Sequence, residues 1–256
     1  MVYNGYKQLV NRFHAGISRL GLVIFPATCV LCGGDGAFGL DLCLPCQNDL
    51  PWIRRACTGC GLPLEGVSGT SGLVQGSHST LCGICIREPR NFERGYAPFI
   101  YAEPADWLVQ QLKFNSRLPC IRVLSHLLLQ YLLQQEVEIP EAIIPVPLHA
   151  ERYRQRGFNQ ALELARPIAR AMNRPIINDI CLRQQNTVPQ LDLPAKKRAA
   201  NVRNAFKIIK PMTAKHIAIV DDVMTTGATT NELARLLKRN GAEFVQVWTV
   251  ARTVAD

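Results

Sequence analysis

With 256 residues, 48% of them hydrophobic, 19% charged and 7% aromatic, the chain has the composition of an ordinary globular protein, which excludes disorder and fibrous repeats. The formal charge of +9 is unevenly placed: residues 152–210 hold 13 basic and 3 acidic side chains, whereas residues 1–95 hold 8 and 6. One segment carries the surplus, and an anionic partner is to be sought there.

In chain order, the first element is an amphipathic helix within residues 1–28. Tyr6, Leu9, Val10, Phe13, Ile17 and Leu20 recur at three- and four-residue intervals, the stripe of a helix lying against a neighbour. The apolar run Leu20–Phe25 makes a poor secretory signal, and Leu20–Gly34 is too short to cross a bilayer, so no integral membrane span is expected.

Residues 29–90 form a cysteine module. Eight of the ten cysteines fall into four C-x-x-C pairs, Cys29/Cys32, Cys43/Cys46, Cys57/Cys60 and Cys82/Cys85, while Cys120 and Cys181 read as buried small apolar groups. Two-residue gaps suit tetrahedral thiolate sites rather than an extracellular disulfide framework, which points to a reducing cytoplasm. A module with so few apolar residues draws its folding free energy from metal, and structural zinc is the ion expected. Spacing joins the first two pairs into one ribbon and the last two into a second, interrupted by the Gly/Ser-rich loop Gly66–Thr80 that contains His78. Crossed pairing, a single zinc with one pair left over, or His78 as a substitute ligand satisfies the same pattern.

Over residues 91–256 strands alternate with helices, the signature of a parallel sheet with crossovers. A strand is expected at Tyr96–Tyr101, helices at Trp107–Phe114 and Val123–Gln135, and a short buried strand at Ile143–Val146. Arg152, Arg154 and Arg156 then alternate along what reads as a basic turn, before a helix at Asn159–Met172. A polar stretch, Arg183–Asn201, separates this from strands near Phe206–Ile209 and at His216–Val220, a helix at Thr229–Asn240 and a last strand at Phe244–Val250.

The most informative segment is His216–Glu232, HIAIVDDVMTTGATTNE. Thr225, Thr226, Gly227, Ala228, Thr229 and Thr230 offer backbone N–H groups and hydroxyls to an anion, and the helix that follows adds the positive end of its dipole. Neither a Walker loop nor a dinucleotide fingerprint is present. Asp221 and Asp222, at the carboxyl end of the strand, would repel a phosphate but suit a neutral diol. A sugar carrying a phosphate at one end and vicinal hydroxyls at the other satisfies both halves.

This strand–DD–x–x–TTG–x–T–helix arrangement resembles the 5-phosphoribosyl-1-pyrophosphate (PRPP) motif of type I phosphoribosyltransferases, and the run Ile143–Gln160 is similar to the pyrophosphate loop of amidophosphoribosyltransferases. The four-pair cysteine module, LKF at Leu112–Phe114, R-x-RGFNQ at Arg154–Gln160, R-x-x-N-V-x-x-A-F at Arg198–Phe206, DDVMTTGATT, and a terminal QVW…ART together resemble the ComF family from about Cys29 to Thr253. The resemblance implies an α/β protein of the type I phosphoribosyltransferase fold, a parallel sheet flanked by helices, with a small N-terminal cysteine-rich zinc-ribbon domain. It implies PRPP as substrate with Mg²⁺, Asp221 and Asp222 as the catalytic carboxylates, and Thr225–Thr230 on the 5′-phosphate. Arg154 and Arg156 would face the diphosphate, with Lys113 and Arg198 as further site positions and a hood between Arg183 and Phe206.

The resemblance also implies a cytoplasmic role in natural transformation, in the import of single-stranded DNA, with a competence helicase or another DNA-processing protein as partner. It does not name the acceptor of phosphoribose. There is no cysteine at position 2 and no room for a glutamine-hydrolysing domain, so glutamine-dependent amide transfer is not expected. The competing reading is a non-catalytic adaptor whose pocket senses PRPP or a nucleotide while the ribbon docks DNA or a protein.

Overall fold

The computed structural model describes residues 26–64, 80–115, 118–185 and 204–254. The helix expected within residues 1–28, His78 with nearly all of its loop, and Arg198 lie outside these residues, as does the side chain of Lys113.

The centre of the molecule is a five-stranded, all-parallel sheet. Its long inner strands are β6 (His216–Met224) and β7 (Phe244–Arg252); β3 (Ala142–Pro145) flanks β6, and β1 (Arg94–Tyr96) and β2 (Phe99–Ile100) pair in succession along the outer side of β7. Successive residues of β6 alternate between two cores, as strand geometry requires: Ala218 and Val220 join one, Ile217 and Ile219 the other. The first core is closed by α3 (Ala105–Asn115), α4 (Leu118–Gln134) and α6 (Gln160–Met172). The second is closed by α7 (Ala228–Arg239) and by the antiparallel pair β4 (Cys181–Arg183) and β5 (Phe206–Ile208).

Two expectations are corrected. Strand β6 does not stop at Val220 but runs through both aspartates to Met224, because β7 continues beside it and keeps the ladder paired as far as Met224↔Arg252. The basic turn is instead helix α5 (Ala150–Arg156). His149 caps its start by accepting from Glu151 N at 3.3 Å, and Gly157, at φ 79°, ends it. On a helix, Arg152 and Arg156 share one side and Arg154 points elsewhere, which alternation along an extended turn would not give.

The cysteine module is built twice on one plan. Each begins with a knuckle whose closing glycine has positive φ, Gly33 at 76° and Gly61 at 67°. Each ends with a short helix, α1 (Leu44–Asn48) or α2 (Gly83–Arg87), with the first cysteine of its pair, Cys43 or Cys82, at the N-cap position; the Cys82 sulfur accepts from Cys85 N, whereas Cys43 makes no side-chain cap. Between the two halves, Ile53 N donates to Pro98 O at 2.8 Å and Ile100 N to Pro51 O at 2.9 Å, so residues 51–53 cover the outer edge of the sheet beside β2. Trp52 lies against Phe99 with ring centroids 4.6 Å apart. Among the described residues, no helix is long and apolar enough to cross a membrane.

Candidate functional site

The residues at the carboxyl end of β6 line one open depression: Asp221, Val223, Met224, Thr225, Gly227, Ala228, Thr229 and Thr230. Asp222, the next residue along the strand, stands outside that lining. Each carboxylate is oriented by the backbone that follows it, Asp222 N donating to Asp221 Oδ1 at 3.0 Å and Val223 N to Asp222 Oδ1 at 2.7 Å. The loop turns at Gly227, whose φ of 76° lies in the left-handed region. A Cβ there would meet Met224 Sδ at 3.2 Å, so glycine serves both the turn and the packing beneath it. Thr226 Oγ1 accepts from Ala228 N at 3.3 Å, and Thr230 Oγ1 donates to Gly227 O at 3.1 Å, fixing the start of α7.

Among the described residues, Arg252 reaches the Met224 and Thr225 carbonyls of this lining from Nη1, and Arg183 feels the charge of Asp221. Arg183 is half-buried, with its guanidinium carbon 5.7 Å from the Phe206 ring centroid. Burial and the nearby charge of Arg152 lower its pKa, and the Asp221 carboxylate acts the opposite way. Burial, followed by the neighbouring Arg156, lowers that of Arg152. The like charges of Arg152 and Arg183 thus feel each other, while Asp221 offsets part of that repulsion at Arg183. Arg156 also lines a second cavity with Leu118, Ile121, Gly157, Phe158 and Glu163. Arg154 is exposed and donates from Nε to Ala150 O at 3.4 Å.

The sequence offers Arg152, Arg154 and Arg156 together as cations of one basic turn, and Arg183 as the edge of a polar stretch. Helical periodicity applied to 150–156 would have separated Arg152 from Arg154. Nothing local marks Arg183, since its place depends on β4 pairing with β5. Asn159 explains the GFNQ run: its Oδ1 accepts from Ala161 N at 3.0 Å and its Nδ2 donates to Val146 O at 3.0 Å, tying the end of β3 to the start of α6.

The eight paired cysteines form two clusters, Cys29–Cys32–Cys43–Cys46 and Cys57–Cys60–Cys82–Cys85, with the four sulfurs of each within 4.8 Å of one another. Four thiolates at about 2.3 Å from a tetrahedral zinc stand roughly 3.8 Å apart. Cys32 and Cys43 Sγ are 3.7 Å apart, as are Cys60 and Cys82 Sγ, so the donor set and its size fit zinc in both places. This settles the pairing in favour of first with second and third with fourth. All four members of the second cluster are buried, whereas Cys32 of the first is exposed. Hydrogen bonding from the Cys60 thiol and from the Cys82 N–H at 3.2 Å lowers the Cys57 pKa against the opposing effect of burial.

An open parallel sheet whose inner strand ends in two acids and a Thr/Gly turn, with two four-cysteine clusters in a module on its edge, defines an α/β protein carrying a double zinc ribbon. The family model for the double zinc ribbon domain matches residues 21–86. The DNA utilization protein YhgH of Escherichia coli (strain K12) is 36% identical over 239 residues, 91% of this chain and 100% of that protein. Competence protein F of Haemophilus influenzae is 34% identical, over 82% of this chain and 96% of the other, and competence protein ComFC of Bacillus subtilis 25% identical, over 88% and 95%. The chain belongs to this ComF family of competence and DNA utilization proteins. Among solved structures it is similar to a purine phosphoribosyltransferase from Pyrococcus horikoshii, 19% identical, covering 57% of this chain and 83% of that one with a TM-score of 0.28.

Proposed function

We propose that the chain is a cytoplasmic phosphoribosyltransferase-like protein that binds PRPP with Mg²⁺ and serves the uptake of single-stranded DNA in natural transformation. The observation that carries the reading is the shared depression of Asp221 and the Thr225–Thr230 loop at the carboxyl end of β6. The loop would take the 5′-phosphate, and Asp221, with Asp222, the ribose hydroxyls and the positive charge that develops on the ring as pyrophosphate leaves. Arg152, Arg183 and Arg156 would hold the diphosphate, with Arg154, Lys113 and Arg198 as outer contacts. Mg²⁺ prefers oxygen donors, which the diphosphate, the ribose and these carboxylates supply, and would neutralise the leaving group.

The same reading divides the chain into an N-terminal helix (1–28), a zinc-ribbon module (29–90) and a phosphoribosyltransferase-like domain (91–256). DNA contact falls to the basic segment 152–210, because single strands are held by cations along their backbone. The relatives' names, DNA utilization and competence, support that assignment. A pyrophosphate-release assay with Mg²⁺ and PRPP across purines, pyrimidines and DNA as acceptors tests it. Release with one acceptor establishes a transferase; tight PRPP binding without release selects the sensing adaptor.

A further inference from the structure

Arg252, the last residue of β7, is 3% exposed. A guanidinium keeps its charge at any physiological pH, so burying it requires acceptors and a counter-charge. The acceptors come from the second knuckle, from the end of β6 and from the residue that follows Arg252. Nε donates to Cys60 O at 3.3 Å, while Nη1 faces the carbonyls of Met224 at 3.0 Å, Thr253 at 3.1 Å and Thr225. Met224 and Thr225 are the backbone by which β6 enters the phosphate loop, and Cys60 is a member of the second cysteine cluster.

Four thiolates around one Zn²⁺ form a net dianion, and that charge would stand beside Arg252, opposite in effect to the like charge of Arg90. The contact between knuckle and sheet is also rigid, because Gly95 of β1 presses its backbone directly on Cys60. The first cluster is fastened elsewhere: next to it, Arg122 of α4 donates to Gly39 O at 3.0 Å and pairs with Asp41 at 3.3 Å.

We propose that Arg252 is a positioning residue through which zinc in the second cluster sets the conformation of the phosphate loop, so that zinc binding there and sugar-phosphate binding favour one another. With the metal in place, the Cys60 carbonyl and the cluster's charge hold the guanidinium, and the guanidinium holds the Met224 and Thr225 carbonyls from behind while the loop's other side faces the ligand. Loss of the metal lets the thiolates take up protons and removes the cluster's negative charge, and the guanidinium, left with carbonyl acceptors alone, holds the loop less firmly. By linkage, the ligand must in turn retain that zinc. The inference rests on reading Thr225–Thr230 as the phosphate loop.

The test uses the full chain, with zinc counted by native mass spectrometry and amide hydrogen exchange followed over residues 222–232 without ligand. Arg252→Lys keeps the charge but lacks the fork that reaches both knuckle and loop. It should hold two zinc ions while loop exchange accelerates about tenfold and β3 stays protected. Cys85→Ser should accelerate the loop likewise, and Cys32→Ser, at the first cluster, should not. Should Cys85→Ser fail to fold, Arg252→Lys carries the comparison alone. Unchanged loop exchange in Arg252→Lys, acceleration spread evenly over the sheet, or an equal effect of Cys32→Ser would overturn the proposal. In a second measurement, PRPP with Mg²⁺ should slow chelator capture of one zinc about tenfold in the wild type and not in Arg252→Lys. Equal capture rates with PRPP bound overturn the coupling. Absence of PRPP binding overturns the ligand assignment instead, and the ligand-free exchange still decides the role of Arg252.

Discussion

Gly95 and Cys60 meet backbone to backbone: a Cβ on residue 95 would lie 2.8 Å from the Cys60 carbonyl carbon and 2.9 Å from its Cα. Strand β1 and the second zinc knuckle therefore share a contact with no room for a side chain, and the small ribbon is welded to the sheet edge at that point.

A methyl group at position 95 has only main chain to displace, and main chain does not yield like the end of a flexible side chain. Gly95→Ala should cost about 1–3 kcal/mol, the range for overpacking a close contact, and should lower the urea midpoint. A variant with the wild-type midpoint would mean that the knuckle is not fixed against β1.

At Gly227 the difficulty is conformational as well as steric. A left-handed φ costs an L-residue about 1–2 kcal/mol, and the new Cβ would also press on Met224 Sδ. Gly227→Ala is expected to keep both zinc ions and most of its stability, yet to bind PRPP about tenfold more weakly or worse, because the strain falls on the loop itself. Full affinity measured by calorimetry would show that the loop does not hold the ligand.

Asn159 makes a cap and a tie with one amide. Asn159→Ala should lose about 1–2 kcal/mol, and Asn159→Asp, which keeps the acceptor for Ala161 N but not the donor to Val146 O, should fall between it and the wild type. Thermal unfolding of the three proteins orders them, and an Asp variant as unstable as the Ala variant would remove the cap from the explanation.

The extent to which the sequence disclosed this molecule follows from how local each signal is. The C-x-x-C pairs, the apolar run of β6 and the Thr/Gly turn before α7 are short-range patterns, and each is found where spacing places it. The length of β6 was hidden because two aspartates end its hydropathy, while its backbone pairing with β7 does not depend on side chains. Helix α5 was hidden because alternating arginines mimic a turn; the helix is set by the caps at His149 and Gly157. Arg252 enters the sequence reading only within the QVW…ART motif and Arg183 only as the start of the polar stretch, neither with a role of its own. Their importance lies in partners 192 residues away in the chain, at Cys60, and across the β4–β5 pairing.

For the basic segment, charge and position make separate claims. Single-stranded nucleic acid releases about 0.7 counterions per phosphate contact, so Arg154→Ala with Arg156→Ala should reduce the salt dependence of oligonucleotide binding by roughly 1.4 in log–log slope. Fluorescence anisotropy at several salt concentrations reads that slope. An unchanged slope would place the DNA contact outside α5.

The most direct trial of the account is calorimetric titration of PRPP and Mg²⁺ into the wild type and into Asp221→Asn with Asp222→Asn. Both substitutions keep the side-chain shape and leave the cysteine clusters untouched, so the double variant should hold two zinc ions, unfold at nearly the wild-type temperature and show no measurable heat of PRPP binding. Equal affinity in the two proteins would contradict the assignment of these acids to the ribose, and with it the reading of the β6 depression as a sugar-phosphate site.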